Sequence, residues 1–124
     1  MHALKSIEKT FAGFGEAYFS TVEKYAVKGW KKHRQMTLNL IVPAGEILFV
    51  LYDAREKSPT QSMVQEINLS INNYQRLTVP PGIWMAFKGL QSVNMLLNIA
   101  SIPHDPEEAD NSPVDNGLIP YTFS

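Results

Sequence analysis

The sequence predicts an all-β sandwich or barrel. Short apolar runs recur at about ten-residue spacing, and Pro- or Gly-bearing turns separate them. One run, Glu46 to Tyr52 (EILFVLY), is apolar on both of its faces, as in a central strand covered on each side.

Taken in order, residues 1–13 read as a short amphipathic helix or an irregular arm. Glu16 to Val22 is the first expected strand. Met36 to Val42 is the second, and Pro43 to Gly45 reads as its hairpin connection to Glu46–Tyr52. Asp53 to Gln61 holds Pro59 and many polar residues, so a loop is expected. Met63 to Leu69 alternates, with Val64, Glu66 and Asn68 opposite Ile67 and Leu69. Arg76 to Val79 is a strand stopped by Pro80, Pro81 and Gly82. Ile83 to Phe87 and Met95 to Ala100 complete the set. The tail, residues 103–124, is expected to be an extended loop packed on the barrel through Ile119, Tyr121 and Phe123.

The chain has 124 residues, 44% apolar and 19% charged, the ordinary composition of one globular domain. Its net charge is -1, and Lys28, Lys31, Lys32, His33 and Arg34 form its strongest basic run. A nucleic-acid partner is disfavoured by that balance, although the run could meet a phosphorylated small molecule. The chain lacks cysteine, which removes disulfides, thiolate metal sites and a thiol nucleophile, and suits a reducing compartment. Met1 to Ala12 shows no apolar core of a signal peptide. No run approaches the roughly 18 apolar residues of a membrane span. A cytoplasmic location without membrane contact is expected.

The Gly45 turn and the later Pro80-Pro81-Gly82 turn resemble the two halves of the cupin pattern, which implies a double-stranded β-helix, or jelly-roll barrel. In that pattern two histidines, a glutamate and a third histidine surround a metal. Here Lys31, His33, Leu38 and Met85 fall on those positions. An ammonium, a leucine and a thioether do not supply converging N or O donors, so no metal and no other cofactor is expected.

Further motifs narrow the resemblance. Asp53-Ala-Arg55-Glu-Lys-Ser58-Pro59-Thr60, then Asn68-Leu69-Ser70-x-x-Asn73, then Leu77-x-x-Pro80-x-Gly82 with Phe87 following, resemble the dTDP-4-dehydrorhamnose 3,5-epimerases in order and without gaps. Lys28-Gly29-Trp30 resembles the Arg-Gly-Leu before that family's catalytic histidine. The resemblance implies a homodimer acting on a nucleotide-linked 4-keto-deoxysugar in surface-polysaccharide synthesis. It implies a histidine that takes a proton from the carbon beside a ketone, a carboxylate that orients it, and a tyrosine that returns a proton. The family's catalytic histidine falls on Lys31, and its tyrosine falls near Ile102 and Pro103.

His33 is therefore the candidate base, pointing to the same side as Lys31 if both lie on a strand; the plainer reading is a surface histidine in a basic turn. Lys31 is a second candidate, as a desolvated base, a phosphate contact or a plain charge at the barrel mouth. Lys28, Asn39, Tyr52, Arg76, Trp84 and Asn98 are candidate substrate contacts. Three of them, Asn39, Tyr52 and Asn98, are polar residues within apolar strands and need partners there. His104, Asp105, Glu107 and Glu108 form an acidic run, either a solvated loop or the source of a carboxylate for His33. An epimerase or isomerase is the leading expectation. A sugar-nucleotide binder that has lost the chemistry, and a ketoisomerase, are its rivals.

Overall fold

The computed structural model describes residues 1–115 and 117–124. Two antiparallel sheets face one another. One has the order β1-β8-β3-β6 and the other β5-β4-β7-β2-β9. The strands are β1 (Glu16–Val22), β2 (Val27–His33), β3 (Leu38–Ala44), β4 (Glu46–Asp53), β5 (Val64–Ser70), β6 (Leu77–Val79), β7 (Ile83–Gly89), β8 (Asn94–Ala100) and β9 (Ala109–Ser112).

The core lies between the sheets. Leu38, Leu40 and Val42 of β3 meet Ile47 and Phe49 of β4, with Leu69, Met85 and Leu96 around them. Alternation explains which side chains enter it. A fully buried side chain such as Phe49 contributes about 1.5–3 kcal/mol relative to exposure. The other face of β4 is apolar for a separate reason. Val50 joins Trp30, Ala86 and Ile119 in a second cluster outside the five-stranded sheet, flanked by Leu48, Tyr52, Trp84, Tyr121 and Phe123. The end of the tail folds back over that sheet, so β4 is covered on both sides as its composition requires.

Several elements differ from expectation. Pro43 to Gly45 is no hairpin, because β3 pairs with β6 and β8 while β4 pairs with β5 and β7. The segment is a corner at which the chain changes sheets, with Pro43 and Ala44 still inside β3. Gly45 has φ +78, and a methyl group on it would stand 2.2 Å from the Val93 carbonyl oxygen. Buried Asn94 locks the corner: its Oδ1 accepts from the Glu46 N–H at 3.0 Å, and its Nδ2 donates to the Val22 carbonyl at 2.9 Å. The basic run holds β2, whose polar and charged residues gave no strand signal. The tail holds β9, which pairs with β2 from Trp30↔Ser112 to His33↔Ala109. Residues 1–13 form turns rather than a helix.

The Asp53 motif clasps the end of β4. The carboxylate accepts from Arg55 Nε at 2.9 Å, Arg55 Nη2 at 3.0 Å and Ser58 Oγ at 2.7 Å, and also from Thr60. The Arg55 guanidinium, followed by the two hydroxyls, holds the carboxyl far below the usual carboxylate range against the opposing effect of burial. A depressed folded-state pKa contributes stability that is present above the unfolded value of 3.8 and lost as pH falls below it. Asp53→Asn should therefore flatten the acid side of the stability curve, read by urea unfolding between about pH 5 and pH 2. Gly45→Ala should lower stability by about 1–3 kcal/mol in the same assay, since it forces a side chain into a left-handed corner.

Candidate functional site

A cavity of about 450 Å³ opens between the sheets. Its walls come from both: β1 and β8 supply Tyr18 and Asn98, while β2 and β7 supply Lys28, Lys31, His33 and Met85. His104 joins them from the loop after β8.

His33 is the last residue of β2 and points inward with Lys31, two residues before it. Its Nδ1 lies 3.1 Å from Glu108 Oε1. The histidine side chain is 15% exposed and the glutamate side chain 6%. Glu108 ends a short 3₁₀ turn, Pro106–Glu108, whose N-cap Asp105 accepts from the Glu107 N–H. The Glu108 carboxylate also accepts backbone N–H bonds from Arg34 at 2.9 Å, Gln35 at 2.8 Å and Met36 at 3.1 Å. Burial pushes its pKa up, but these donors and His33 outweigh burial and hold it below the usual range. Glu108 is thus an anion at neutral pH. It fixes Nδ1 as the protonated nitrogen of a neutral ring and leaves the Nε2 lone pair for a proton.

Burial lowers the His33 pKa; Glu108 opposes this, while Lys31 and His104 add to it. The ring is therefore a neutral base at pH 7.

Simple alternation would put Lys28 on the opposite side from Lys31. The register of β2 against β7 shifts between Lys28 and Lys31, and such a bulge re-aims a side chain. Lys28, Lys31 and His33 all line the cavity as a result. On the facing wall, Asn98 Nδ2 donates to the Tyr18 hydroxyl at 3.0 Å. Desolvation, then the charge of Glu16, raises the Tyr18 pKa, while the Asn98 bond lowers it in part. The phenol stays protonated.

Of the residues singled out in the sequence, Lys28, Lys31, His33 and Asn98 come together here. Four others stand away from the cavity, and each has its own partners. Asn39 accepts from Thr78 Oγ1 and donates to the Thr10 carbonyl. Arg76 holds the N-terminal arm through Glu8, Thr10 and the Ala3 carbonyl. Tyr52 and Trp84 belong to the outer cluster under the tail, where Lys32 Nζ lies 5.0 Å from the Trp84 ring centroid. None of these four lines the cavity, and the contacts they make are packing and strapping contacts. Tyr18 was missed altogether. It sits in a strand with no motif, and only the Tyr18↔Asn98 pairing of β1 with β8 reveals it. The four cupin metal positions, Lys31, His33, Leu38 and Met85, all line the cavity. Among the described residues, no three His, Asp or Glu side chains converge as a metal site would need.

Two facing sheets around a cavity open at one end, with a carboxylate-bound histidine on its wall, define a cupin of the sugar-nucleotide epimerase type. The family model for dTDP-4-dehydrorhamnose 3,5-epimerase matches residues 6–116, and the chain belongs to that family. A dTDP sugar isomerase from Desulfovibrio desulfuricans is 39% identical, with a TM-score of 0.94 over 98% of this chain and 78% of its own. The probable low-salt glycan biosynthesis epimerase Agl13 of Haloferax volcanii is 29% identical over 107 residues. That match spans 85% of this chain but 65% of the relative's length. The dTDP-4-dehydrorhamnose 3,5-epimerase of Bacillus anthracis, solved with TDP and PPi bound, shares the fold at 19% identity. Its TM-score is 0.80 over 90% of this chain and 66% of its own.

Glu108→Ala would strand the Gln35 and Met36 N–H groups and the His33 ring, while the Arg34 N–H keeps the Glu108 carbonyl. It should cost about 2–4 kcal/mol in urea unfolding. Glu108→Gln keeps an acceptor oxygen and should cost less.

Proposed function

We propose that the chain is a metal-independent epimerase or isomerase of a nucleotide-linked 4-keto-deoxysugar, working in glycan synthesis. The observation that carries this reading is the His33–Glu108 contact on the cavity wall. A ketone acidifies the C–H beside it, so a neutral imidazole held by a buried carboxylate is a competent base. Lys28 and Lys31 supply positive charge for a diphosphate or a developing enolate. Family membership supports the substrate class, and the glycan-synthesis role of the Haloferax relative supports the pathway.

The reading includes a cytoplasmic homodimer of one-domain subunits. Among the described residues no helix is long and apolar enough to cross a membrane. Light scattering of the purified chain tests the dimer.

The direct test is incubation with dTDP-4-keto-6-deoxyglucose in heavy water, following the C3 and C5 protons by NMR. Loss of either signal is expected, and His33→Asn should slow it by about 10²–10⁴-fold. Binding without exchange would favour a sugar-nucleotide module that has lost the chemistry. The pH dependence follows from the groups facing His33. Its base form is lost as pH falls through a folded-state value below 6.5, so the acidic limb of kcat/KM should lie under that pH. Glu108 raises the His33 pKa, so Glu108→Gln should move the limb further down while lowering the maximal rate.

A further inference from the structure

Two histidines line the cavity, and their surroundings differ. His33 is largely buried on β2, with its ring against the Glu108 carboxylate. His104 stands exposed in the loop after β8. Among the described residues its ring has no hydrogen bond or ion pair. The loop nevertheless fixes its place. The Ser101 N–H donates to the Thr37 carbonyl at 3.0 Å, and the Ser101 Oγ accepts from the Thr37 N–H at 2.9 Å. Ile102 packs closely on Gly15, where a methyl group would stand 2.1 Å from the Ile102 carbonyl carbon. Asp105 caps the 3₁₀ turn that carries Glu108. One segment thus brings to the cavity both His104 and the carboxylate partner of His33. The two rings feel one another, since the charge of His104 is one cause of the lowered His33 pKa.

Inverting a carbon beside a ketone takes two groups. A base removes the proton from one face, and an acid delivers another to the opposite face. A lone base returns a proton to the side it came from. Histidine suits the delivery, because its charge changes between about pH 5 and pH 8. Tyrosine ordinarily gives up its proton only well above neutrality, and desolvation, then the Glu16 charge, pushes Tyr18 further up. An exposed position at the cavity wall also lets a donor regain its proton from water after each turnover.

We infer that His104 is the second acid–base group of this cavity, returning a proton to the face of the sugar ring opposite His33. The inference rests on the proposed function and narrows it to inversion by two histidines from different segments of the chain. His33 Nε2 takes the proton from the carbon beside the ketone. The C–H electron pair becomes a C=C bond, and the carbonyl π pair moves onto oxygen, where Lys28 and Lys31 offset the charge. The oxygen pair then restores C=O, and the C=C pair takes a proton from the His104 imidazolium on the other face. His104 is left neutral and His33 protonated. Exchange with water resets both, with no net oxidation.

The test separates exchange from inversion. The full chain is incubated with dTDP-4-keto-6-deoxyglucose in heavy water. NMR follows deuterium entering the unreacted sugar at C3 and C5, and the anomeric proton reports the inverted product. The wild type should form inverted product that carries deuterium. His104→Asn and His104→Gln should lower inversion by about 10²-fold while deuterium still enters the unreacted sugar, since His33 remains. That retained exchange also shows the variants to be folded. Inversion at the wild-type rate in either variant, or equal loss of exchange and inversion in both, would overturn the assignment. Exchange without inversion in the wild type would overturn it as well and leave a keto-sugar isomerase. If the wild type shows no exchange at all, the proposed function itself fails and His104 falls with it.

Discussion

The buried carboxylate of Glu108 organises the His33 end of this barrel. Where the chain leaves β2, the Glu108 carboxylate accepts three successive N–H groups, of Arg34, Gln35 and Met36, and the Arg34 N–H is shared with the Glu108 carbonyl at 2.9 Å. Leaving such donors bare in the interior would be costly. The same anion takes the His33 ring as a fourth partner. Structure and chemistry are therefore joined in one group. The charge that closes the β2–β3 turn also fixes the histidine tautomer, and neither role can be removed without disturbing the other.

The tail makes this arrangement possible in two ways. Strand β9 zips onto the edge of β2 immediately after Glu108, which sets the height of the carboxylate against the His33 ring. Further on, Tyr121 and Phe123 stack around Trp30, with ring centroids 6.5 and 6.2 Å away. Trp30 is the outward neighbour of Lys31, so β2 is gripped on one face by aromatics while its other face presents cations and the base to the cavity. A β-bulge adds Lys28 to that inner set. The two walls then differ in kind: β2 carries Lys28, Lys31 and His33, while β1 and β8 carry Glu16, Tyr18 and Asn98.

Much of the frame was legible in the sequence. Apolar runs and Pro/Gly turns marked β1 and β3 to β8, because each buries a face and alternation is a local property. The two-sided apolarity of EILFVLY revealed a central strand, and Ile119, Tyr121 and Phe123 were legible as the residues that cover it. The strands that escaped, β2 and β9, lie side by side at one end of the five-stranded sheet; both are rich in polar residues, and Trp30 is the one fully buried side chain of β2. The Pro43–Gly45 segment misled for a related reason. A turn between two apolar runs looks the same whether the strands pair or part, and only the partners of β3 and β4 distinguish a hairpin from a corner.

The sequence by itself determined the all-β class, the family motifs from Asp53 to Phe87, and the candidacy of His33 with Lys31 beside it, since residue type and period-two spacing are written in the chain. Tertiary structure alone decided which polar residues meet. It joined His33 to Glu108, 75 positions away, and Tyr18 to Asn98, 80 positions away. It also turned Asn39, Tyr52, Arg76 and Trp84 away from the cavity. The physical reason is that a one-residue step along a strand changes the face on which a side chain lies. Which face is the cavity depends on strand pairings that link distant parts of the chain.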